Sequence, residues 1–348
     1  MDTRNSPPNF KSKFIDSDMV TNEPIILGFE GTAHTAGIAI VKGKNIIINK
    51  SATYLPTQGG IHPREASEFL SKHFPKLLEQ IFHELPFDTQ RIDAIAFSQG
   101  PGLGPCLRIT ATIARAISLL IKRPLIGVNH CIAHVELGRM VTPAQDPLVL
   151  YVSGGNTQLI TYLNGRYRIL GETLDVAIGN ALDSLGRKIG LPHPGGVHIE
   201  QKAKSGQQLL HLPYAIKGMS FSFSGVVTAA YKLISEYSVS DICFSFQEYT
   251  YAALAEATER ALSCTKKSSL LLTGGVAANM RLQEMMQGVA SEQSVKFFVV
   301  PKDLAGDNGA MIALAGVNMY KANDFIDVKN SQVIPRWRTD QVEVSWIH

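Results

Sequence analysis

The sequence predicts an α/β protein of two duplicated domains set around a central cleft. Three observations predict it. A length of 348 residues is about two domains at roughly 150 residues each. The two halves of the chain repeat one order of strand, glycine turn and helix. The apolar fraction of 45% and mean hydropathy of +0.04 can fill two cores, and 18% charged residues, against an average of ~25%, excludes a mainly disordered chain.

Residues 1–23 mix Arg4, Lys11 and Lys13 with Asp2, Asp16 and Asp18 around Pro7-Pro8. They lack the apolar core of a signal peptide and the acid-free bias of a transit peptide, so a mobile tail is expected. From there the first half reads as a meander: Pro24–Phe29, the Gly31-Thr32 turn, Gly37–Val41, then Gly43 and Ile46–Asn49. Helical spacing follows from Ala66 to Phe82, with Pro63 placed to start the helix. Strand Ile92–Phe97 then runs into Gly100–Gly104 and a helix over Leu107–Leu120. Strand Leu125–Val128 leads to the His130 loop.

The second half repeats each step. Leu148–Val152 leads into Ser153-Gly154-Gly155-Asn156, then Gln158–Tyr162, Asn164-Gly165 and Tyr167–Leu170. Ile178, Leu182, Leu185 and Ile189 form one helical stripe. Leu270–Leu272 meets Gly274-Gly275 and a helix over Ala277–Met286, and Phe297–Val300 meets the Asp307 loop. One strand–glycine–helix match is common; three in the same order in both halves indicate duplication. The expected boundaries are 24–147 and 148–348, the last helix packing back on the first domain. Ligands of such folds bind at the carboxyl ends of strands, where glycine turns expose N–H groups.

Cys106, Cys131, Cys243 and Cys264 form no CxxC pair, which argues against a disulfide framework or zinc knuckle and for a reducing, cytoplasmic setting. No run reaches ~18 uncharged apolar residues, so no membrane partner is expected. A net charge of +3 offers few phosphate contacts, so any nucleic-acid binding should need partner chains.

His130 and His134 stand at i and i+4, one helix face, within reach of one metal ion. Alone, HxxxH reads more often as one core and one surface histidine. The duplication brings Asp307 to the matching loop of the other half, as a third ligand or as a helix N-cap. Two histidines and a carboxylate leave open positions, as a catalytic metal needs, and suit iron, zinc or manganese. Ser153-Gly154-Gly155-Asn156 and Gly274–Asn279 are phosphate cradles or ordinary turns. Asp183 and Glu200, the latter after a Gly195-Gly196 turn, are ribose-hydroxyl acceptors or solvated charges. His62, Arg64 and Glu65 read as a helix start.

Gly28–Thr35, Gly59–Ala66, Gly100–Gly104, Asn129–His134, Val152–Thr157, Gly274–Asn279 and Gly306–Ala310 together resemble the universal tRNA threonylcarbamoyladenosine transferase family, over residues 24–346. His130–His134 and Gly154-Gly155-Asn156 look like its archaeal and eukaryotic branch, the catalytic subunits of the KEOPS complex. The bacterial branch typically has histidine where Asn156 stands. The resemblance implies an actin/Hsp70/sugar-kinase fold. It implies transfer of threonylcarbamoyl from threonylcarbamoyl-AMP to the adenosine 3′ of the anticodon, position 37, in tRNAs reading ANN codons. It further implies one divalent ion, iron first, on His130, His134 and Asp307, with Tyr151 as a further ligand. The adenylate would be held by Tyr151, Val152, Ser153, Gly154, Gly155, Asp183, Gly196, Glu200 and Asn279. The implied partners are tRNA, a small atypical protein kinase, a small dimerising subunit and an accessory subunit. No general base is assigned.

Three other functions compete. A metallopeptidase would use HExxH, but Cys131 occupies the place of the glutamate. A sugar kinase or ATPase usually has Asp in the first glycine hairpin, where this chain has Glu30. A non-catalytic nucleotide scaffold would need no His/His/Asp set.

Overall fold

The computed structural model describes residues 22–56 and 60–347. Gly59 and the expected tail, apart from Asn22 and Glu23, lie outside the described residues.

Two five-stranded sheets share one topology. In the first, β1 (Ile25–Glu30), β2 (Thr35–Lys42) and β3 (Asn45–Thr53) form an antiparallel meander. β4 (Ala94–Gly100) and β5 (Leu125–Asn129) extend it in parallel beside β1, giving the order β3-β2-β1-β4-β5. In the second, β6 (Leu148–Val152), β7 (Thr157–Leu163) and β8 (Arg166–Glu172) form the meander. Asn164 and Gly165, both at positive φ, close its last hairpin, as a two-residue turn between right-twisted strands requires. With β11 (Ser269–Thr273) and β12 (Lys296–Val299) the order is β12-β11-β6-β7-β8, the first sheet over again. The short hairpin of β9 (Ile216–Lys217) and β10 (Ser220–Phe221) stands apart.

Parallel neighbours need crossovers, and helices supply them. These are α1 (Pro63–Glu84) and α2 (Gly104–Ile121) in the first half, and α8 (Met280–Glu292) between β11 and β12 in the second. The other second-half crossover is long: α4 (Ile178–Lys188), α5 (Gly195–Ala203), α6 (Ser224–Leu233) and α7 (Val239–Thr265). The region from 204 to 265 had no expected structure, because it has no counterpart in the first half to be compared with. Two finer expectations are corrected. Gly195-Gly196 is not a turn but the start of α5, where Gly195 packs on α4; an added Cβ would lie 2.8 Å from the Leu182 carbonyl. The helix expected from Ala277 begins at Met280, after a 3-10 turn over Gly275–Ala278, because Asn279 caps it.

α2 is long and apolar enough to cross a membrane, with mean hydropathy 1.3. It nevertheless buries Cys106, Leu107, Thr110 and Ala111 against the first sheet and α1, and Arg115 within it donates to Ser331. Those contacts pack one face of it onto the first sheet and α1.

After its fifth strand, each half sends one more helix between the two sheets. α3 (His130–Val141) is buried at every position from His130 to Gly138. α10 (Gly309–Lys321), which follows the short α9 (Lys302–Ala305), lies against α3 and the first sheet. Small residues let it approach that closely. A Cβ on Gly28 would sit 2.5 Å from the Ala313 backbone nitrogen, and one on Gly309 would sit 2.4 Å from the Ala39 nitrogen. The central core therefore draws on both halves, from Ile26 and Ile132 to Val149 and Ile312. The start of α3 and the start of α10 meet in the cleft.

Candidate functional site

His130 is the first residue of α3. Asn129 caps the helix, its side-chain oxygen accepting from the Cys131 and Ile132 N–H groups at 3.0 and 3.2 Å. One turn later His134 is fully buried. The alternative that Asp307 is an N-cap does not hold: Asn308 caps α10, accepting from the Met311 N–H at 3.1 Å. Asp307 is thereby left to the cleft. Its Oδ1 lies 3.2 Å from His134 Nε2 and 3.6 Å from His130 Nε2.

These three residues offer ligand atoms within 4.8 Å of one another, the only such His/Cys/Asp/Glu group among the described residues. Tyr151, at the end of β6, stacks beside His134 at 4.9 Å between ring centroids. Its buried hydroxyl has no hydrogen-bond partner among the described residues. A lone buried hydroxyl costs free energy unless something else coordinates it. Two imidazoles, a carboxylate and this phenol fit a divalent cation.

Sequence reasoning missed Glu30 as part of this site. It is buried at the end of β1, where Oε1 accepts from the Thr32 N–H and hydroxyl at 2.9 and 2.7 Å, and Oε2 lies 3.1 Å from His130 Nδ1. A carboxylate behind a histidine fixes the tautomer that presents the other nitrogen to a metal. The signal was present, since Glu30 occupies the first glycine hairpin, but nothing in the chain pairs it with a residue a hundred positions on.

The electrostatics follow from this packing. Burial disfavours the charged form of His130, yet the carboxylates of Glu30 and Asp307 outweigh it and raise its pKa to about 9. Burial pushes His134 the other way, to a neutral ring. Burial raises the Asp307 carboxyl too, but His130 and His134 more than reverse that and hold it below the usual carboxylate range. Cys131 is pushed up to about 12 by burial, which keeps it a thiol.

Beside this cluster the glycine turns leave an open floor. Ser153 and Asn156 close the first hairpin, Ser153 N–H on the Asn156 carbonyl at 2.8 Å and Asn156 N–H on the Ser153 hydroxyl at 3.0 Å. Gly154 and Gly155 are exposed between them, and their N–H groups meet no acceptor among the described residues. An added Cβ at either, or at Gly275 or Gly306, meets nothing within 4 Å among the described residues. Gly274, at φ +96°, runs so close to the Val152 carbonyl that only glycine fits. The result is a cradle of free N–H groups beside the His/His/Asp cluster, suited to a phosphate.

The remaining predicted residues are partly engaged in structure. Asp183 accepts from the Gly195 N–H at 2.6 Å and faces His193 at 3.5 Å. Glu200 ties α5 to α8 by accepting from the Met280 N–H at 2.8 Å. Asn279 caps α8 through the Leu282 N–H and donates to Gln247. Gly196 lies beside Leu182, and Val152 is buried in β6. At the start of α1, Glu65 is bound by the Tyr54 hydroxyl and Arg64 pairs with Glu68, contacts of a helix start.

Gly155→Val is expected to fold with a nearly unchanged melting temperature, because an added Cβ there meets none of the described residues within 4 Å. It should weaken binding of a phosphate anion about tenfold, since the side chain intrudes where the free N–H groups point. Isothermal titration with inorganic phosphate and AMP checks this; unchanged affinity removes the cradle from the site.

A family model described as tRNA N6-adenosine threonylcarbamoyltransferase matches residues 44–314. A protein of that name from Archaeoglobus fulgidus is 53% identical over 323 residues, 92% of this chain and 99% of that one. A probable bifunctional tRNA threonylcarbamoyladenosine biosynthesis protein of Methanocaldococcus jannaschii is 51% identical over 325 residues, 93% of this chain but 60% of its own length. The chain thus spans about 60% of such bifunctional relatives. Among solved structures, HypF of T. kodakarensis aligns with TM-score 0.60 at 14% identity, over 86% of this chain and 48% of that one. The activator of the 2-hydroxyisocaproyl-CoA dehydratase from Clostridium difficile, with bound ADPNP, aligns with TM-score 0.53 at 14% identity, over 86% of this chain and 96% of that one. At that identity these two speak to the fold alone, the actin/Hsp70 type.

Proposed function

The chain belongs to the tRNA N6-adenosine threonylcarbamoyltransferase family, a family of tRNA-modifying transferases, and from that premise we propose its reaction and site in detail. It moves threonylcarbamoyl from threonylcarbamoyl-AMP to the exocyclic amine of the adenosine 3′ of the anticodon, in tRNAs reading ANN codons. The observation that carries this is the 53% identity over nearly the whole A. fulgidus enzyme, whose name states the chemistry. The amine attacks the carbamoyl carbonyl, the bond from that carbon to the phosphate oxygen breaks, AMP leaves, and the amine gives up one proton.

Each part of the chain has work in that step. The N–H groups of Gly154 and Gly155 receive the phosphate, stabilising charge on the leaving AMP. Asp183, Glu200 and Asn279 are the proposed contacts to the nucleoside, in addition to the structural bonds they make. Glu30 orients His130, and His134 and Asp307 stand opposite it. A divalent ion on His130, His134 and Asp307, with Tyr151 as a further ligand, would supply Lewis acidity toward the carbonyl. Iron is the proposed ion, and zinc or manganese suits the same donors. We take the lobes as 24–147 and 148–348, a division supported by the repeated topology. Small kinase, dimerising and accessory subunits of the KEOPS type are the proposed partners, in the cytoplasm.

The rivals fit less well. The residue at the peptidase base position, Cys131, is buried and held as a thiol. Glu30 is committed to Thr32 and His130, not free to handle a metal–phosphate. The test is transfer of labelled threonylcarbamoyl from its adenylate to tRNA, with and without the partner subunits. Label in tRNA at the adenosine 3′ of the anticodon is expected with them. Adenylate turnover that never labels tRNA, or cleavage of glycoproteins by the metal-loaded chain, would overturn the assignment.

A further inference from the structure

The chain contains two tryptophans, Trp337 and Trp346, and both lie in the segment that follows α10. Residues 331–347 run back over both sheets as a strap. On the first-sheet side, Arg115 donates to the Ser331 hydroxyl at 2.7 Å and the Ile334 N–H donates to the Gln99 carbonyl at 2.8 Å. On the second-sheet side, the Thr339 hydroxyl donates to Gln158 at 3.0 Å and the Tyr162 hydroxyl donates to the Ile347 carbonyl at 3.3 Å.

Between these anchors the strap touches α3 at both ends. At the start, the Trp337 carbonyl accepts from Asn129 Nδ2 at 3.2 Å. Asn129 is the cap that precedes His130, so the strap holds the side chain that fixes the first turn. Farther along, the Trp346 indole N–H donates to Glu136 Oε1 at 3.1 Å. Glu136 is 2% exposed and takes its other donors from three elements. Arg139 reaches it at 3.0 Å from α3 itself, Asn318 at 3.0 Å from α10, and the Tyr167 hydroxyl from β8. A buried carboxylate with this many donors is firmly held, because bonds to a charged group are stronger than neutral ones and each vacancy is costly. Glu136 stands about 200° around the helix from His134, at 100° per residue. The node therefore grips the side of α3 opposite the metal-facing histidine and joins it to the helix that follows Asp307.

We propose that the strap is a positioning element of the metal centre: its seating on Asn129 and Glu136 sets α3, and with it His130 and His134, against Asp307. Strap docking and metal binding are then coupled, and the coupling is reciprocal. This rests on the metal reading above.

The test uses zinc, which is spectroscopically silent, and the full chain. Trp346→Phe keeps the ring and removes the indole donor; a chain ending at Val344 removes the strap's tip. Both are expected to bind zinc about tenfold more weakly than the unsubstituted chain. In a Trp337→Phe protein, where Trp346 is the sole tryptophan, zinc titration should shift the indole emission with the same midpoint as binding. A role in stability alone would lower the melting temperature and leave the zinc affinity where it was. Equal zinc affinity in the unsubstituted chain and in whichever variant folds overturns the coupling and leaves the metal site standing. No zinc binding by the unsubstituted chain overturns both.

Discussion

Asp307→Asn is expected to empty the metal site and lower single-turnover transfer by about 10³-fold or more, the scale on which several kcal/mol of lost charge stabilisation appear as rate. The carboxylate is the one anionic ligand facing both imidazoles, at 3.2 and 3.6 Å. The amide is nearly isosteric, the position is partly exposed, and Asn308 retains the α10 cap, so neither core opens. The melting temperature should fall only by the loss of metal linkage, of the order of 2–3 kcal/mol at a hundredfold excess of metal over Kd. His134→Ala should have the same effect on metal and transfer. Because His134 is fully buried, its removal also leaves a void, and some stability is lost even in the metal-free protein. Elemental analysis beside single-turnover transfer separates these effects. Full occupancy with normal transfer in the Asp307 variant removes the metal centre from the account.

The two meanders, the Ala66–Phe82 helix and the Asp307 loop were legible because they repeat, and because local turn chemistry and helical spacing mark them. The loop expected at His130 is instead the first turn of α3, which follows β5 without a break. The HxxxH pair could be read as one site because its two members share a helix. What could not be read depends on contacts between distant positions. Glu30 finds His130 across a hundred residues, and Glu136 collects donors from α10, β8 and the C-terminal strap. The α5–α7 crossover has no partner in the other half. Asn279 and Asp183, which the family resemblance implies as nucleotide contacts, also act as a helix cap and a loop anchor, because polar side chains near glycine turns satisfy nearby N–H groups first.

Glu30→Gln is expected to change zinc affinity by an amount that depends on pH. In the metal-free protein the pKa of His130 is raised from 6.5 to about 9, the two carboxylates overcoming burial. A raised pKa stabilises the metal-free fold fully below pH 6.5, and that contribution is lost as pH rises through 9. A metal needs the neutral ring, so below pH 9 each ion bound must displace one proton. Affinity in the unsubstituted chain should therefore rise about tenfold per pH unit, roughly a hundredfold from pH 7 to pH 9. His134 adds no such slope, since burial already keeps it neutral. Glutamine removes the nearer carboxylate, and burial then lowers His130, so the variant should be nearly flat over this range. The same change removes the acceptor that orients His130, which costs about 10- to 100-fold in metal affinity. At pH 9 that loss stands alone and the variant is weaker by the full factor. At pH 7 it no longer competes with a proton, and the two effects nearly cancel. Chelator competition at pH 7, 8 and 9, with calorimetry in two buffers to count protons released, measures both. About one proton at pH 7 in the unsubstituted chain and none in the variant is the expected result; parallel slopes in the two proteins would mean that Glu30 does not control the charge on His130.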